Sequence, residues 1–373
     1  MSIVYILTSN ISANLFGYYQ LKSLVSSNHR TYLICGPGYL RKELYEILDD
    51  VYIVKSLQRN PSFLGDIKSA IKILTILKMI KPKLVIYSTP KAAFLSAITS
   101  NLIKVPVRVY QIWGSRWINF NSLHRQIYKL LEHYTISLST NVTSVSISLA
   151  NYYNMFSSKH IEVLGSGSTI GVDRNNFGLM ENRLDKKSFI TIGYLGRIAN
   201  DKGISDLLEV FFALKYNNPS IKLQIIGELD RDDQISKPIL NKLSEDSSIE
   251  LLGPKSRHEI KNYVGAWSFQ VFPSTREGLG NSILELAACG VPSVCWDIIG
   301  VKDAQPPHLK YLLIPLGRLD LLILEAEKLI LNPITLTTKL AISNWVFDNF
   351  SQELVLNNFK MFIKKQLEIN HEN

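Results

Sequence analysis

Short runs rich in β-branched and aromatic residues alternate along this chain with segments of helical length. In the first half the apolar runs are residues 3–9, 31–36, 51–56, 83–89 and 108–114. Strands that are joined by helix-length segments lie parallel, because a parallel pair needs a crossover connection. The alternation resumes at residues 189–197 and continues through 222–227 and 249–254. We therefore predict an α/β fold with two doubly wound, Rossmann-like domains.

Length and composition agree with this prediction. A chain of 373 residues is long for one hydrophobic core, and 46% hydrophobic with 20% charged residues is typical of globular proteins. Cys35, Cys289 and Cys295 have no metal-ligand spacing, so we interpret them as thiols of a reducing cytoplasm. No signal-peptide pattern opens the chain and no apolar run of about 18 residues occurs, so we expect an intracellular protein.

The two halves of the chain differ in charge. Residues 1–180 carry 19 Lys and Arg against 8 Asp and Glu, whereas residues 181–373 carry 22 against 24. A basic half next to a nearly neutral one predicts an anionic partner, either a membrane surface or a nucleic acid. A solvated lysine-rich face is the alternative.

The segment 66–83 could form an amphipathic basic helix. Its apolar residues at helical spacing are Ile67, Ala70, Ile71, Leu74 and Leu77, and Lys68 and Lys72 lie one turn apart. Such a helix can lie on an anionic bilayer, but in a doubly wound domain the apolar stripe more often packs on the sheet. We favour packing on the sheet, with the lysines free to touch lipid.

Residues 273–294 carry the most informative motif. Glu277 and Glu285 lie eight positions apart across a Gly-rich turn, and a helix is predicted to begin at Asn281. Because the first N–H groups of a helix lack internal partners, this turn can present amide donors to a phosphate while carboxylates bind hydroxyls. The alternative is an ordinary solvated helix cap.

This stretch resembles the Glu-x7-Glu signature of the family 4 retaining glycosyltransferases, which have the GT-B fold. Gly196, Arg197, Lys202 and Gly203 also match that family's Gly-Arg and Lys-Gly positions, and unrelated surface cations are the alternative. The resemblance implies that Arg197 and Lys202 stabilise a nucleoside diphosphate, Glu277 holds sugar hydroxyls and Glu285 holds the ribose. It also implies donor contacts from other backbone positions, namely Gly278, Leu279, Gly280, Asn281, Ser282 and, beside the nucleobase, Pro254 and Lys255.

The first half resembles the family mainly in its last residues. Gly167 and Ser168 match a Gly/Ser loop, whereas Trp113-Gly114 stands where the family commonly has His-Gly. The resemblance therefore assigns Gly167 and Ser168 to the acceptor side. Arg116 is a candidate contact to an acceptor phosphate, or alternatively a structural salt-bridge residue.

The sequence Asp230-Arg231-Asp232 could suggest a metal site, because paired carboxylates hold Mg²⁺ or Mn²⁺ on a diphosphate. Arg197 and Lys202 would already neutralise that phosphate, so we interpret residues 230–232 as a solvated turn and predict no metal and no cofactor.

The resemblance predicts three parts: an acceptor-binding domain (residues 1–180), a nucleotide-sugar-binding domain (181–345) that faces it across a cleft, and a C-terminal helix (346–373) that returns to the first domain. The implied activity is metal-independent, retaining transfer of a hexose or N-acetylhexosamine from a UDP-sugar to a polyprenyl-diphosphate-linked glycan, for O-antigen, capsule or a similar polysaccharide. We expect a peripheral protein at the anionic inner membrane face, with no nucleic acid partner.

Three rivals remain open at this stage. A GT-B sugar-nucleotide epimerase would share the fold, and a basic non-enzymatic protein that binds membranes or nucleic acids would explain the charge. An NAD-linked oxidoreductase would need a G-x-G-x-x-G turn after the first strand, where this chain has only Gly17.

Overall fold

The structure is a computed structural model that describes residues 1–60, 62–115, 117–118, 122–179, 190–230 and 233–369. The chain divides into two compact units. One comprises Met1–Gly171 together with Glu353–Asn373, and the other comprises Val172–Gln352. The predicted boundaries lay at 180/181 and 345/346.

The first unit is built on a parallel sheet. Among the described residues its strands are β1 (Ser2–Leu7), β2 (Arg30–Cys35), β3 (Asp50–Ile53), β4 (Leu84–Ser88), β5 (Val107–Ile112), β6 (Asn141–Ser144) and β7 (Glu162–Val163). Their order in the sheet is β3-β2-β1-β4-β5-β6-β7, and every pair is parallel. The strand order reverses between β1 and β4, which is the arrangement of a Rossmann-like sheet.

Helices connect these strands, as the alternation predicted. They are α1 (Asn10–Ser12), α2 (Tyr18–Val25), α3 (Lys42–Ile47), α4 (Phe63–Ile80), α5 (Pro90–Leu102), α6 (Ser122–Leu138) and α7 (Ile147–Asn154), with a π-helical turn at Ala13–Gly17 between the first two.

The predicted buried stripe of α4 is wrong in part. The structure buries Ser69, Ile73, Ile76 and Leu77, whereas Ile67 and Ile71 are exposed. This helix carries apolar residues around much of its circumference, so their spacing does not select one face. Ser69 can face inward because its hydroxyl donates to the Gly65 carbonyl oxygen at 2.8 Å.

The second unit repeats the architecture. Among the described residues its strands are β8 (Thr191–Leu195), β9 (Lys222–Ile226), β10 (Ile249–Gly253), β11 (Phe269–Phe272), β12 (Ser293–Trp296) and β13 (Leu313–Ile314), in the order β10-β9-β8-β11-β12-β13. Its helices are α8 (Ile204–Asn217), α9 (Lys237–Glu245), α10 (Arg257–Val264), α11 (Asn281–Ala288), α12 (Val301–Ala304), α13 (Leu319–Leu331) and α14 (Leu336–Phe350), with 3₁₀ turns at Asn200–Lys202 and Pro307–Leu312.

The last helix, α15 (Gln352–Ile369), contributes to the first unit. Its Phe359, Phe362, Ile363 and Leu367 are buried in the same apolar core as β1, β2 and β4. Two parallel Rossmann-like units confirm the predicted fold class. Within the described part of the chain, no helix combines the length and apolar content needed to cross a membrane.

Candidate active site

Two loops at the carboxyl edge of the second sheet are held together by close backbone contacts. One follows β8 and the other follows β11, its neighbour in the sheet. Gly203 adopts a left-handed conformation (φ +69°), and a Cβ atom there would overlap the Pro273 carbonyl oxygen. The Thr275 amide donates to the Asp201 carbonyl oxygen at 3.0 Å. Gly203 therefore lets the two loops touch, which positions their side chains on each other.

The two loops bring Lys202 and Glu277 into an ion pair. The Nζ atom of Lys202 lies 2.7 Å from Oε1 of Glu277, and it also donates to the Arg276 carbonyl oxygen at 3.2 Å. Both side chains are mostly buried. Electrostatic interactions are stronger where side chains are buried, so an anion bound beside this pair would be attracted strongly by Lys202.

Arg197, in the loop after β8, makes further ionic contacts. Its guanidinium pairs with Asp230 and lies 3.7 Å from Oδ2 of Asp201. Burial opposes the charge of Arg197, but Asp201 and Asp230 outweigh it and raise the pKa of the guanidinium. Burial likewise opposes ionisation of Asp201, but Lys202, Arg276 and Arg197 outweigh it and lower the pKa of that carboxyl.

The interpretation of residues 230–232 as a solvated turn is wrong for Asp230. This side chain is buried, because Arg197 neutralises it and the Asp233 amide donates to it at 3.1 Å. Arg231 and Asp232 lie outside the described residues. In the portion of the chain that the structure describes, no three or more His, Cys, Asp and Glu side chains are grouped to hold a metal ion.

Arg276 is a charged residue of these loops that the sequence analysis missed. Its Nη2 atom lies 2.6 Å from Oδ2 of Asp201, so Asp201 is shared between Arg276 and Arg197. Arg276 directly precedes Glu277 in the sequence, and this position could have indicated that it belongs to the site. The Asp201–Arg276 pair is therefore a second ionic contact between the two loops, in addition to Lys202–Glu277.

Glu285 lies in α11 and is paired with Arg257, which the sequence analysis also missed. The closest atoms, Nη2 of Arg257 and Oε1 of Glu285, are 3.4 Å apart. Burial raises the pKa of Glu285, and Arg257 partly offsets this effect. Arg257 is the first residue of α10 and lies within a capping box, in which the Ser256 hydroxyl accepts from the Glu259 amide and the Glu259 carboxylate accepts from the Ser256 amide. The capping box therefore fixes the start of α10 and with it the backbone position of Arg257.

Other predicted donor positions lie after the carboxyl end of β10 and at the start of α11. Pro254 and Lys255 follow β10, and the Lys255 ammonium lies 5.6 Å from the centre of the Tyr263 ring. Gly280 is the N-cap of α11, with Gly278 and Leu279 before it and Asn281 and Ser282 in its first turn. The Asn281 amide donates to the Leu279 carbonyl oxygen at 2.8 Å, so in this structure that amide is already engaged.

The acceptor-side candidates lie in the first unit. Gly167 (φ +105°) and Ser168 (φ +76°) form a tight turn in which the Ser168 amide donates to the Val145 carbonyl oxygen at 2.7 Å. Ser168 borders a cavity of about 20 Å³ that is also lined by Gln111 and Trp113. Arg116 lies outside the described residues.

These contacts define what the second unit can do chemically. Four cationic side chains, Arg197, Lys202, Arg257 and Arg276, are held by carboxylates at or near the carboxyl edge of a parallel sheet. Ligands of doubly wound sheets bind at this edge. The set suits an anionic ligand that also carries hydroxyl groups.

Two protein-family models match the chain. The model described as "Glycosyl transferase 4-like" matches residues 6–146, and the model described as "Glycosyl transferases group 1" matches residues 179–338. The first match falls in the first unit, and the second covers most of the second unit, including both loops of the candidate site.

Curated relatives and solved structures agree with these matches. The chain is 28% identical over 76% of its length, and 76% of the relative's, to a Staphylococcus aureus protein named "Capsular polysaccharide biosynthesis glycosyltransferase CapM". It is 26% identical, over 74% of each chain, to an Escherichia coli "UDP-Gal:alpha-D-GlcNAc-diphosphoundecaprenol alpha-1,3-galactosyltransferase".

Among solved structures, Anabaena HepE in complex with UDP-glucose superposes with a TM-score of 0.77 at 16% identity, covering 98% of this chain and 100% of HepE. That likeness shows the shared fold. With glycosyltransferase models matching both halves and two Rossmann-like units observed, the chain is a glycosyltransferase with the GT-B fold.

Proposed function

We propose that this glycosyltransferase moves a sugar, a hexose or an N-acetylhexosamine, from a UDP-sugar to a glycan on a polyprenyl diphosphate, in the synthesis of a bacterial surface polysaccharide. Two relatives support the proposal. One is named for capsular polysaccharide biosynthesis, and the other is named for transfer from UDP-Gal to a diphosphoundecaprenol-linked sugar. The solved complex of HepE with UDP-glucose is a further example of this donor class on the same fold.

The observation that carries the proposal is the Lys202–Glu277 pair beside Arg197. A diphosphate placed at this edge adds negative charge next to Lys202 and Arg197. Lys202 is then attracted by both the phosphate and Glu277, and Glu277 can accept hydrogen bonds from sugar hydroxyls. Charges fixed in place before the reaction stabilise the leaving diphosphate without reorganising solvent.

The proposed reaction proceeds on one face of the sugar and retains its anomeric configuration. The bond from the anomeric carbon to the UDP oxygen breaks, and a bond to the acceptor hydroxyl oxygen forms on the same face. The acceptor proton passes to the leaving phosphate. Arg197 and Lys202 balance the charge that develops on UDP, so no metal ion is required in this scheme.

The first test is thermal unfolding with UDP, GDP, ADP, CMP or NAD, each in EDTA and in Mg²⁺. A ligand that binds only the folded state adds about 2.7 kcal/mol at a hundred times its Kd. We expect stabilisation by UDP that EDTA does not change. A response only with Mg²⁺ would overturn metal independence, and a response only to another nucleotide would overturn the UDP donor.

The second test is turnover of UDP-sugars with a diphosphate-linked acceptor sugar, with the new anomeric centre determined by NMR. An inverted product would contradict retention. Turnover of the donor to an epimer without acceptor would favour a sugar-nucleotide epimerase instead.

We also propose that the enzyme works as a peripheral protein at the cytoplasmic membrane face. The basic first half supports this, because polyprenyl-linked acceptors reside in a bilayer and anionic headgroups attract Lys and Arg.

A further inference from the structure

Helix α6 presents an apolar stripe away from the core of the first unit. One face of this helix carries Leu123, Ile127, Leu130 and Tyr134. Their exposed fractions range from 49% for Ile127 to 69% for Leu130. The opposite side of α6 is the buried one and includes Thr135 and Ile136. An apolar stripe normally faces the core, so this second stripe calls for another partner.

The first half of helix α4 also carries exposed apolar side chains. Phe63, Leu64, Ile67 and Ile71 are all exposed, and Phe63 is 81% exposed. Helix α5 lies between the two: Lys91 of α5 pairs with Asp66 of α4 at 2.7 Å, and the ring of Phe94 of α5 lies 6.4 Å from that of Tyr134. We call the exposed residues of α4 and α6 together the α4/α6 face.

The charge of this part of the chain is one-sided. Residues 63–138 contain eleven Lys and Arg and two acids. Asp66 is paired with Lys91, and Glu132 is buried and accepts a hydrogen bond from Tyr110. On α4 the exposed Lys68 and Lys72 directly follow the exposed Ile67 and Ile71, so the face combines apolar area with positive charge.

We propose that the α4/α6 face docks on an anionic lipid surface, with the apolar side chains at the acyl boundary and the cations among the headgroups. The proposal rests on the proposed function, whose acceptor is membrane-bound. An anionic bilayer satisfies both the apolar area and the positive charge. A second copy of the chain fits less well, because a symmetric contact would bring the same cations together.

The test is binding to vesicles of one part phosphatidylglycerol to two parts phosphatidylcholine, compared with phosphatidylcholine alone. We expect salt-sensitive binding to the anionic vesicles. The double variant Ile127→Gln/Leu130→Gln should bind at least about tenfold more weakly. The matched control is Leu324→Gln/Leu331→Gln, which removes two exposed leucines from α13 of the second unit and should bind like the wild type.

A fluorescent label on the protein distinguishes loss of docking from misfolding of a variant. Leu130→Cys labelled with a polarity-sensitive dye should shift to shorter emission wavelengths on anionic vesicles, and Leu331→Cys should not. Unshifted emission at position 130 while the protein binds vesicles would overturn the docking face. So would dissociation of an oligomer by the Gln variant, because it would identify the partner as a second copy.

Turnover on a short, water-soluble acceptor separates this inference from the proposed function. The α6 variant should retain wild-type turnover on the soluble acceptor and lose turnover on vesicle-bound acceptor. Loss of vesicle binding with full soluble turnover supports both proposals. Absence of turnover by the wild type on either acceptor would instead contradict the proposed function, whatever the vesicles show.

Discussion

The Nζ atom of Lys202 lies 2.7 Å from Oε1 of Glu277, a residue 75 positions further along the chain. The two come together because β8 and β11 are neighbours in the sheet and their following loops share backbone contacts. Each side chain neutralises the other. A diphosphate bound as we propose would therefore alter the electrostatic environment of both.

Lys202→Ala and Glu277→Ala are each expected to lower kcat/KM at least about a hundredfold, since one charged contact to a developing charge is worth about 2 to 4 kcal/mol. Steady-state kinetics measures this effect, and circular dichroism checks the fold. Lys215→Ala is the matched control, because Lys215 pairs with Asp246 at the same distance, 2.7 Å, outside the two loops. Near-wild-type turnover of either site variant would refute the assignment.

Gly203→Ala should destabilise the second unit far more than Gly253→Ala. Both glycines have nearly the same φ (+69° and +68°), so both substitutions incur left-handed strain of about 1 kcal/mol. Only at position 203 would the new Cβ overlap a backbone atom, whereas no atom lies within 4 Å at position 253. We expect a further loss of about 2 kcal/mol at 203, measured by chemical unfolding. Equal losses would contradict the close approach to Pro273.

Arg257→Leu should destabilise the protein by about 2 kcal/mol near neutral pH, because it leaves the buried Glu285 without this cation. Burial already raises the pKa of Glu285, and loss of Arg257 should raise it further. The folded state then holds its proton to higher pH than the unfolded state, so the deficit grows as pH rises. Adding Glu285→Gln should restore stability. A deficit that does not depend on pH would contradict this explanation.

Glu132→Gln should flatten the pH dependence of stability. Burial raises the pKa of Glu132 to about 7, even though Tyr110 and Tyr153 oppose the rise. Between the unfolded carboxyl's usual pKa and about 7, the folded state binds the extra proton, so the free energy of unfolding falls as pH rises.

Across that pH window the free energy of unfolding of the wild type should fall by about 3 kcal/mol, since each pKa unit corresponds to about 1.4 kcal/mol. The Gln variant should not show this fall. The Gln side chain can still accept the Tyr110 hydrogen bond. Urea unfolding at acidic and mildly alkaline pH measures the difference, and parallel curves for the two proteins would contradict it.

Periodicity was sufficient to predict the two parallel sheets and the start of α11, because both follow from local patterns. The partners of the charged residues were not predictable in the same way. Asp230 is buried because β9 and β8 are neighbours, which brings it to Arg197, and Arg257 reaches Glu285 from a different helix. Such pairs depend on sheet order, which no local spacing encodes.

Helix α4 shows a second limit. Its apolar residues surround much of the helix, so their spacing does not select one face, and the hydrogen bonds of Ser69 to Ser56 and Gly65 belong to the face that the structure buries. A serine inside a helix gives no signal of burial by itself, because it can bond to the carbonyl oxygen four residues earlier on any face, and its other partner, Ser56, lies outside the helix.

The position of α15 has a consequence for biosynthesis. Phe359 and Ile363 complete the core that β1 begins, yet the ribosome makes them only after the whole second unit. The second unit is contiguous in the chain and can fold as soon as it emerges. Until α15 has been synthesised, part of the core of the first unit stays uncovered. The nascent chain therefore exposes apolar surface that chaperones can bind.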